Sequence, residues 1–270
     1  MGPQIKDTSK AMDKLEILKQ IALEAGKLVK DGYKRPKNIT HKGVVDLVTE
    51  YDQRVEKLIL SRLQEYFPGY SLVGEESYDG DLQGSKIIYI DPIDGTTNFI
   101  HGIPHLGISI GIWEDNAPIA AVVYNPILHE MFSAAANHGA FCNDIPLRVS
   151  EQDELQQSLI GTGFPYAKVN MSTEYHWVID TLTSILPHIR DIRRLGAAAI
   201  DLCYLAQGRI DGFYEIDLQP WDVAAGILIV QEAGGEISNL SGEPYNISDK
   251  GIVASNSKIH TQILSHTKAI

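Results

Sequence analysis

The sequence predicts an α+β protein made of layered sheets and helices. Two observations carry that expectation. Short apolar runs between residues 107 and 136 are separated by turn-forming residues, the pattern of an antiparallel meander. Stretches with apolar residues at helical spacing flank them on both sides and supply the helical layers that cover the sheets. No internal repeat, low-complexity tract or long Pro/Gly/Ser linker divides the 270 residues. One domain spanning 1–270 is therefore expected, with residues 1–10 flexible.

The elements follow in order. Leu15, Leu18, Ile21, Ala22, Ala25, Leu28 and Val29 share one face of an amphipathic helix. A second helix runs from about Thr49 to Tyr66, with Val55, Leu58, Ile59 and Leu63 on one side and Pro68-Gly69 closing it. Ser71–Val73 and Lys86–Ile90 read as buried strands, the second ending directly at Asp91 where Pro92 breaks it. Gly107–Trp113, Ile119–Tyr124 and Met131–Ala136 make the meander. Helices are expected at Glu174–Leu186, Gly196–Gln207 and Trp221–Ala233, with a strand at Asp211–Ile216 between the last two.

Composition narrows the function. Hydrophobic residues at 44% and charged residues at 21% describe an ordinary soluble globular chain. A net charge of −12 argues against binding nucleic acid or anionic membranes. It also sets a problem for any anionic substrate, which is repelled unless bound cations invert the local field. Cys142 and Cys203 lack Cys-x-x-Cys partners, so two buried thiols in a reducing cytoplasm are expected rather than a disulfide or a zinc cluster. Met1–Lys10 has no apolar run of a signal peptide, and Lys6 stands where myristoylation needs Ser or Thr. No apolar run approaches the ~20 residues of a membrane span.

Chemistry concentrates in Asp91-Pro92-Ile93-Asp94-Gly95-Thr96-Thr97-Asn98-Phe99. Two carboxylates stand where a buried strand ends, so the apolar run before Asp91 positions it rigidly. Gly95 permits a turn that other residues resist. Thr96 and Thr97 can then start a short helix whose free N–H groups attract phosphate. Oxygen donors without His or Cys select hard cations such as Mg²⁺. The plainer reading is an Asx-type turn with Thr96 as helix cap. Glu75, in Gly74-Glu75-Glu76-Ser77, also follows a short strand, or is a solvated loop acid. Asp222, in Pro220-Trp221-Asp222, opens a helix and serves the same cation or merely caps that helix.

These segments resemble, in order and spacing, the signatures of the inositol monophosphatase family. Gly74–Ser77, Asp91–Phe99 and Trp221–Gly226 carry the likeness. It extends through Asp46-Leu47-Val48-Thr49, Tyr51-Asp52-Gln53, Arg194-Leu195-Gly196-Ala197-Ala198, Gly212-Phe213-Tyr214-Glu215 and Glu232-Ala233-Gly234-Gly235. The resemblance implies a layered αβαβα sandwich of the sugar-phosphatase type and a homodimer. It implies hydrolysis of inositol monophosphate with two or three Mg²⁺ ions, sensitive to Li⁺. Glu75, Asp91 and the Ile93 carbonyl would hold one ion, and Asp91, Asp94 and Asp222 a second, with Glu75 helping a looser third. Gly95 and Thr96 would present N–H groups to the phosphate. Asp52 would pair with the Thr96 hydroxyl, which orients the attacking water, although Thr49-Glu50-Tyr51-Asp52 also resembles a capping box. Gly196, Ala197, Ala198 and Glu215 would line the sugar pocket, unless Glu215 is a rim acid facing solvent.

Other readings share the scaffold. Arg193, Arg194 and Lys168 could clamp a second phosphate, favouring a fructose 1,6-bisphosphatase or a 3'(2'),5'-bisphosphate nucleotidase; pairing with surface acids is the preferred account of them. A histidinol phosphatase and a non-enzymatic regulator of transcription complexes are further alternatives. Gly107-Ile108-Ser109-Ile110-Gly111 spells a nucleophile elbow but sits inside a strand, so it is assigned to structure. Gly102 and Pro104 prevent His101 and His105 from forming a helical metal pair. Gly161 and Gly163 lack the third glycine of a dinucleotide fingerprint.

Overall fold

The computed structural model describes residues 8–35, 37–41, 47–80 and 84–267. Of the stretch 1–10 expected to be flexible, positions 1–7 lie outside these residues, and α1 (Thr8–Tyr33) begins directly after them. A small antiparallel ladder of β1 (Ile39–His41) and β2 (Leu47–Thr49) leads into α2 (Glu50–Tyr66). Thr49 starts that helix: its hydroxyl accepts from the Tyr51 N–H, and Asp52 accepts from the Thr49 N–H at 2.7 Å.

A seven-stranded sheet follows. β3 (Ser71–Gly74) runs parallel to β4 (Lys86–Asp94), and α3 (Thr96–His101) separates β4 from the meander. The meander comprises β5 (Gly107–Glu114), β6 (Ala117–Asn125), β7 (Glu130–Ala135), β8 (Ala140–Cys142) and β9 (Ile145–Pro146), each antiparallel to the last. Spatial order matches chain order from β3 to β9. The second half of the chain supplies β10 (Leu159–Thr162), α4 (Thr173–Ile185), β11 (Asp191–Arg193), α5 (Ala198–Ala206), β12 (Gly212–Ile216), α6 (Pro220–Glu232), β13 (Glu236–Ser238), β14 (Gly251–Ser255) and α7 (His260–Leu264). Its strands form a five-stranded mixed sheet in the order β11-β10-β12-β14-β13.

Alternation along the strands stacks these elements into five layers. Ile88 and Ile90 on β4, with Ile108, Ile110 and Ile112 on β5, pack under Leu18, Ile21, Val55 and Ile59 of α1 and α2. Ile87, Tyr89 and Trp113 face the other way, onto α5 and α6. Phe213, Ile252 and Ala254 of the five-stranded sheet cover the far side of those two helices. Tyr214, Ile216 and Val253 point outward to α4 and α7 through Trp177, Val178, Ile185 and Ile263. The result is an αβαβα sandwich.

Two boundaries differ from expectation. β4 does not stop at Asp91 but runs through Pro92 to Asp94, because a register shift at that point removes the ladder bond a proline cannot make. α5 begins at Ala198 rather than Gly196, which takes a left-handed φ of +89° outside the helix. The Gly107-x-Ser109-x-Gly111 pattern lies within β5, where its glycines admit the middle helices. A Cβ on Gly107 would lie 2.8 Å from Ile200 Cδ1, and one on Gly111 would lie 3.0 Å from the backbone of Ala224 and Ala225. Backbone cannot yield as a side chain can. Gly111→Val is therefore expected to lower stability by about 1–3 kcal/mol, read as a reduced urea midpoint with unchanged slope.

Candidate active site

The site is built on the end of β4. In a regular strand, residues three apart point to opposite faces. Here Asp91 pairs with Ser109 and Asp94 with Gly107, so three steps on β4 match two on β5. That bulge turns both carboxylates toward one cavity of about 380 Å³. Gly95 then takes φ +90°, and a Cβ there would lie 3.1 Å from both the Ala197 Cβ and the His105 carbonyl. Only glycine makes this turn, which starts α3 at Thr96.

Separate elements bring the remaining acids to the same cavity. Glu75 directly follows β3, its N–H donating to the Ile90 carbonyl at 3.1 Å. Asp222 occupies the first turn of α6 and accepts from the Gln219 N–H at 2.7 Å, so it caps the helix and lines the cavity at once. Glu75, Asp91, Asp94 and Asp222 thus converge from three parts of the chain.

Their crowding shows in proton affinity. Asp91 is pushed well above the carboxylate range by burial, then by repulsion from Glu75, Asp94 and Asp222. Asp94 rises to about 7, mainly through burial, although the Ala199 N–H donates to it at 2.7 Å. Every donor in the set is oxygen, including the Ile93 carbonyl beside them, so the residues fit a hard divalent cation such as Mg²⁺. Among the described residues no three His, Cys, Asp or Glu side chains stand close enough to hold an ion as they are placed; closing on one needs side-chain movement.

Thr96 lines the adjoining wall, with Asp52 buried behind it. Asp52 is fully buried and accepts from Thr49 N–H at 2.7 Å, Thr49 Oγ1 at 2.6 Å and Thr96 Oγ1 at 3.0 Å. It is both a capping-box member and the Thr96 partner. Burial raises its affinity for protons, and the Thr49 and Thr96 hydrogen bonds oppose that rise. The Thr96 hydroxyl also approaches the Ile93 carbonyl at 3.1 Å. Its single hydrogen faces acceptors, which leaves its lone pairs to receive a bond from water.

Gly196, Ala197, Ala198 and Glu215 line the same cavity, with Ala197 directly against the Gly95 turn. Glu215 is not a solvent-facing rim acid: it is 9% exposed on the inner face of β12. Burial, followed by the Asp201 and Asp222 charges, pushes it well above the usual range. Its carboxylate lies against Gly163, where a Cβ would sit 1.7 Å from Oε1.

Periodicity gave no warning of several neighbours. Lys168 and Arg194, expected to pair with surface acids, line the cavity instead: a 3-10 turn after β10 (Tyr166–Asn170) carries the first, and the irregular segment between β11 and α5 carries the second. The Arg194 guanidinium sits 5.3 Å from the Phe164 ring, and burial together with its charge lowers the Lys168 pKa. Arg193 does pair at the surface, with Asp191 at 2.7 Å. His105 is buried and contacts Asp201 at 2.8 Å, while His101 is exposed. Asp201 lines the cavity. Cys142 and Cys203 are free and buried, with the Cys142 thiol pushed up to about 11. Asp46 lies outside the described residues.

A sandwich with an acid-lined cavity at the end of β4, one strand in from the sheet edge, accords with the class its sequence profile gives, a phosphatase. The chain belongs to the inositol monophosphatase family, whose profile matches residues 12–270. That family is generally metal-dependent. The chain is 40% identical over 240 residues to inositol monophosphatase 1 of Solanum lycopersicum, covering 87% of each protein. It is 37% identical over 259 residues to the Nus factor SuhB of Escherichia coli, covering 94% of this chain and 95% of that one. Among solved structures, the extragenic suppressor protein suhB of Bartonella henselae superposes with a TM-score of 0.87 at 35% identity, over 95% of this chain and 98% of that one. Among the described residues no helix is long and apolar enough to cross a membrane.

The buried His105–Asp201 contact gives a stability test. Both residues are buried, so removing one partner leaves the other without its hydrogen bond. His105→Ala is expected to cost about 3–5 kcal/mol in urea unfolding, and replacing both by leucine to recover most of it.

Proposed function

We propose that the protein hydrolyses the phosphate monoester of a small polyol, with inositol monophosphate as its leading substrate, by in-line attack of water. The observation that carries this reading is the convergence of Glu75, Asp91, Asp94 and Asp222 beside the Asp52–Thr96 pair. Glu75, Asp91 and the Ile93 carbonyl would hold one Mg²⁺ and Asp91, Asp94 and Asp222 a second, with Glu75 shared by a third. Bound Mg²⁺ supplies Lewis acidity, which lowers the pKa of water and neutralises phosphate charge in an otherwise repellent cavity. Thr96 accepts a hydrogen bond from the attacking water, and Asp52 fixes its hydroxyl in that orientation. The N–H groups of Gly95 and Thr96 hold phosphate oxygens at the start of α3. Glu215 hydrogen-bonds ring hydroxyls, over backbone left bare by Gly163. The chemistry is then positioning plus electrostatics.

A second reading rests on Lys168 and Arg194. Two cations facing one cavity favour an alcohol that itself bears an anion, as in fructose 1,6-bisphosphate or a nucleotide bisphosphate. A regulatory role in transcription complexes draws support from the relative named Nus factor SuhB. A cytoplasmic setting accords with two free cysteines, and homodimerisation is proposed from the family alone.

Phosphate release from a panel of inositol monophosphate, fructose 1,6-bisphosphate and a nucleotide bisphosphate, with Mg²⁺ and with added Li⁺, separates these readings. Release is expected to require Mg²⁺, to fall with Li⁺ and to be fastest for inositol monophosphate. Asp94→Asn is expected to lose at least about 100-fold, more than an outer-sphere change costs. No release from any ester would favour the regulator, and full activity of Asp94→Asn would refute the cation site.

A further inference from the structure

Glu75 is a loop residue, yet its side chain must point into the cavity with the accuracy of a strand residue. Its backbone conformation depends on the two peptides flanking its Cα. The preceding peptide is held by the sheet, through the Glu75 N–H donating to Ile90 at 3.1 Å. The following peptide is not in the sheet. Its N–H, that of Glu76, donates to Glu56 Oε2 at 2.8 Å.

Glu56 is a buried acid that the proposed chemistry does not use. It is 2% exposed on α2, four residues after Asp52 and so on the same face of the helix. Burying a carboxylate is costly unless its oxygens are satisfied, and here the partner is the backbone next to a cavity acid. Gly74 makes the approach possible: a Cβ there would lie 2.6 Å from both Glu56 Cδ and Glu56 Oε2. The turn closes beyond Glu75 as well, with the Tyr78 N–H donating to the Gly74 carbonyl at 2.9 Å and the Tyr78 ring packing edge-on against Trp221. A single helix therefore reaches both walls of the cavity, through Asp52 to Thr96 and through Glu56 to the Glu75 turn.

We infer that Glu56 is a positioning residue for cation binding, locking the Glu75 turn through the Glu76 N–H across a gap that only Gly74 leaves open. The inference rests on the proposed Mg²⁺ site. It acts through geometry, so a neutral acceptor of the same shape serves, and an added methyl on Gly74 undoes it with every polar group intact.

The test is thermal unfolding of the full chain titrated with Mg²⁺ alone, reading the concentration that gives half of the maximal stabilisation. Wild type and Glu56→Gln are expected to agree within about threefold, whereas Glu56→Leu and Gly74→Ala shift the half-point upward by at least about tenfold, as loss of an outer partner of a metal ligand does. A purely structural role would lower the Mg²⁺-free midpoint of those two variants and leave the half-point unchanged; that result overturns the inference. So does a Glu56→Gln variant as weak as Glu56→Leu. Should Glu56→Leu not fold, Gly74→Ala decides, along with exchange of the Glu76 amide hydrogen in the wild type, which is slow if Glu56 holds it and fast if the inference is wrong. No response to Mg²⁺ in the wild type would instead remove the cation site itself, and this inference with it.

Discussion

Four carboxylates lining one small cavity, Asp91 and Asp94 buried and Glu75 and Asp222 half-buried, are the constraint around which this fold is arranged. Like charges at close range in a low-dielectric site oppose folding, so each acid must be held by something stronger than its own repulsion. Asp91 and Asp94 are held by β4, which is buried from Ile87 to Asp94 and paired on both sides. Asp222 is held by the start of α6, and Asp94 is steadied from across the cavity by the α5 backbone at Ala199. The bulge at Pro92 is the device that gathers two acids from one strand onto one side.

The layers around the cavity have separable duties. α1 and α2 cover one face of the seven-stranded sheet and make a continuous apolar seal with Ile88, Ile90 and Ile110. α5 and α6 lie between the sheets, close enough that glycines replace side chains at Gly107 and Gly111. The cavity opens where β4 and β12 end and α5 and α6 begin, so acids from both sheets and from the middle helices meet Lys168 and Arg194 there. An acidic protein thereby presents both signs of charge to a ligand within a single recess.

Much of this was legible in the residues, for identifiable reasons. The meander and the long helices follow from apolar spacing, which burial on one face imposes. Glu75, Asp91, Asp94, Asp222, Asp52 and Thr96, which the structure brings together, stood out as candidates because acids, glycine and threonine at strand ends and helix starts carry local signals as well as a family pattern. Most of the five-stranded sheet was not found. β11 and β13 have three residues each, and β14 is buried at every position, so none shows alternation. Continuation of β4 through Pro92 was hidden because proline ordinarily ends a strand, and only the pairing with β5 reveals the bulge. Lys168, Arg194 and the His105–Asp201 contact lie far apart in sequence, and nothing local marks their meeting.

The central claim is that these acids repel one another until a cation joins them. Thermal unfolding of Asp91→Asn beside the wild type, first in chelator and then in excess Mg²⁺, tests it directly, since asparagine keeps the shape and the acceptor for Ile93 N–H while removing the charge. The account predicts that the variant unfolds at the higher temperature in chelator and that Mg²⁺ reverses the order. A variant less stable than wild type in chelator, and stabilised equally by Mg²⁺, would contradict it.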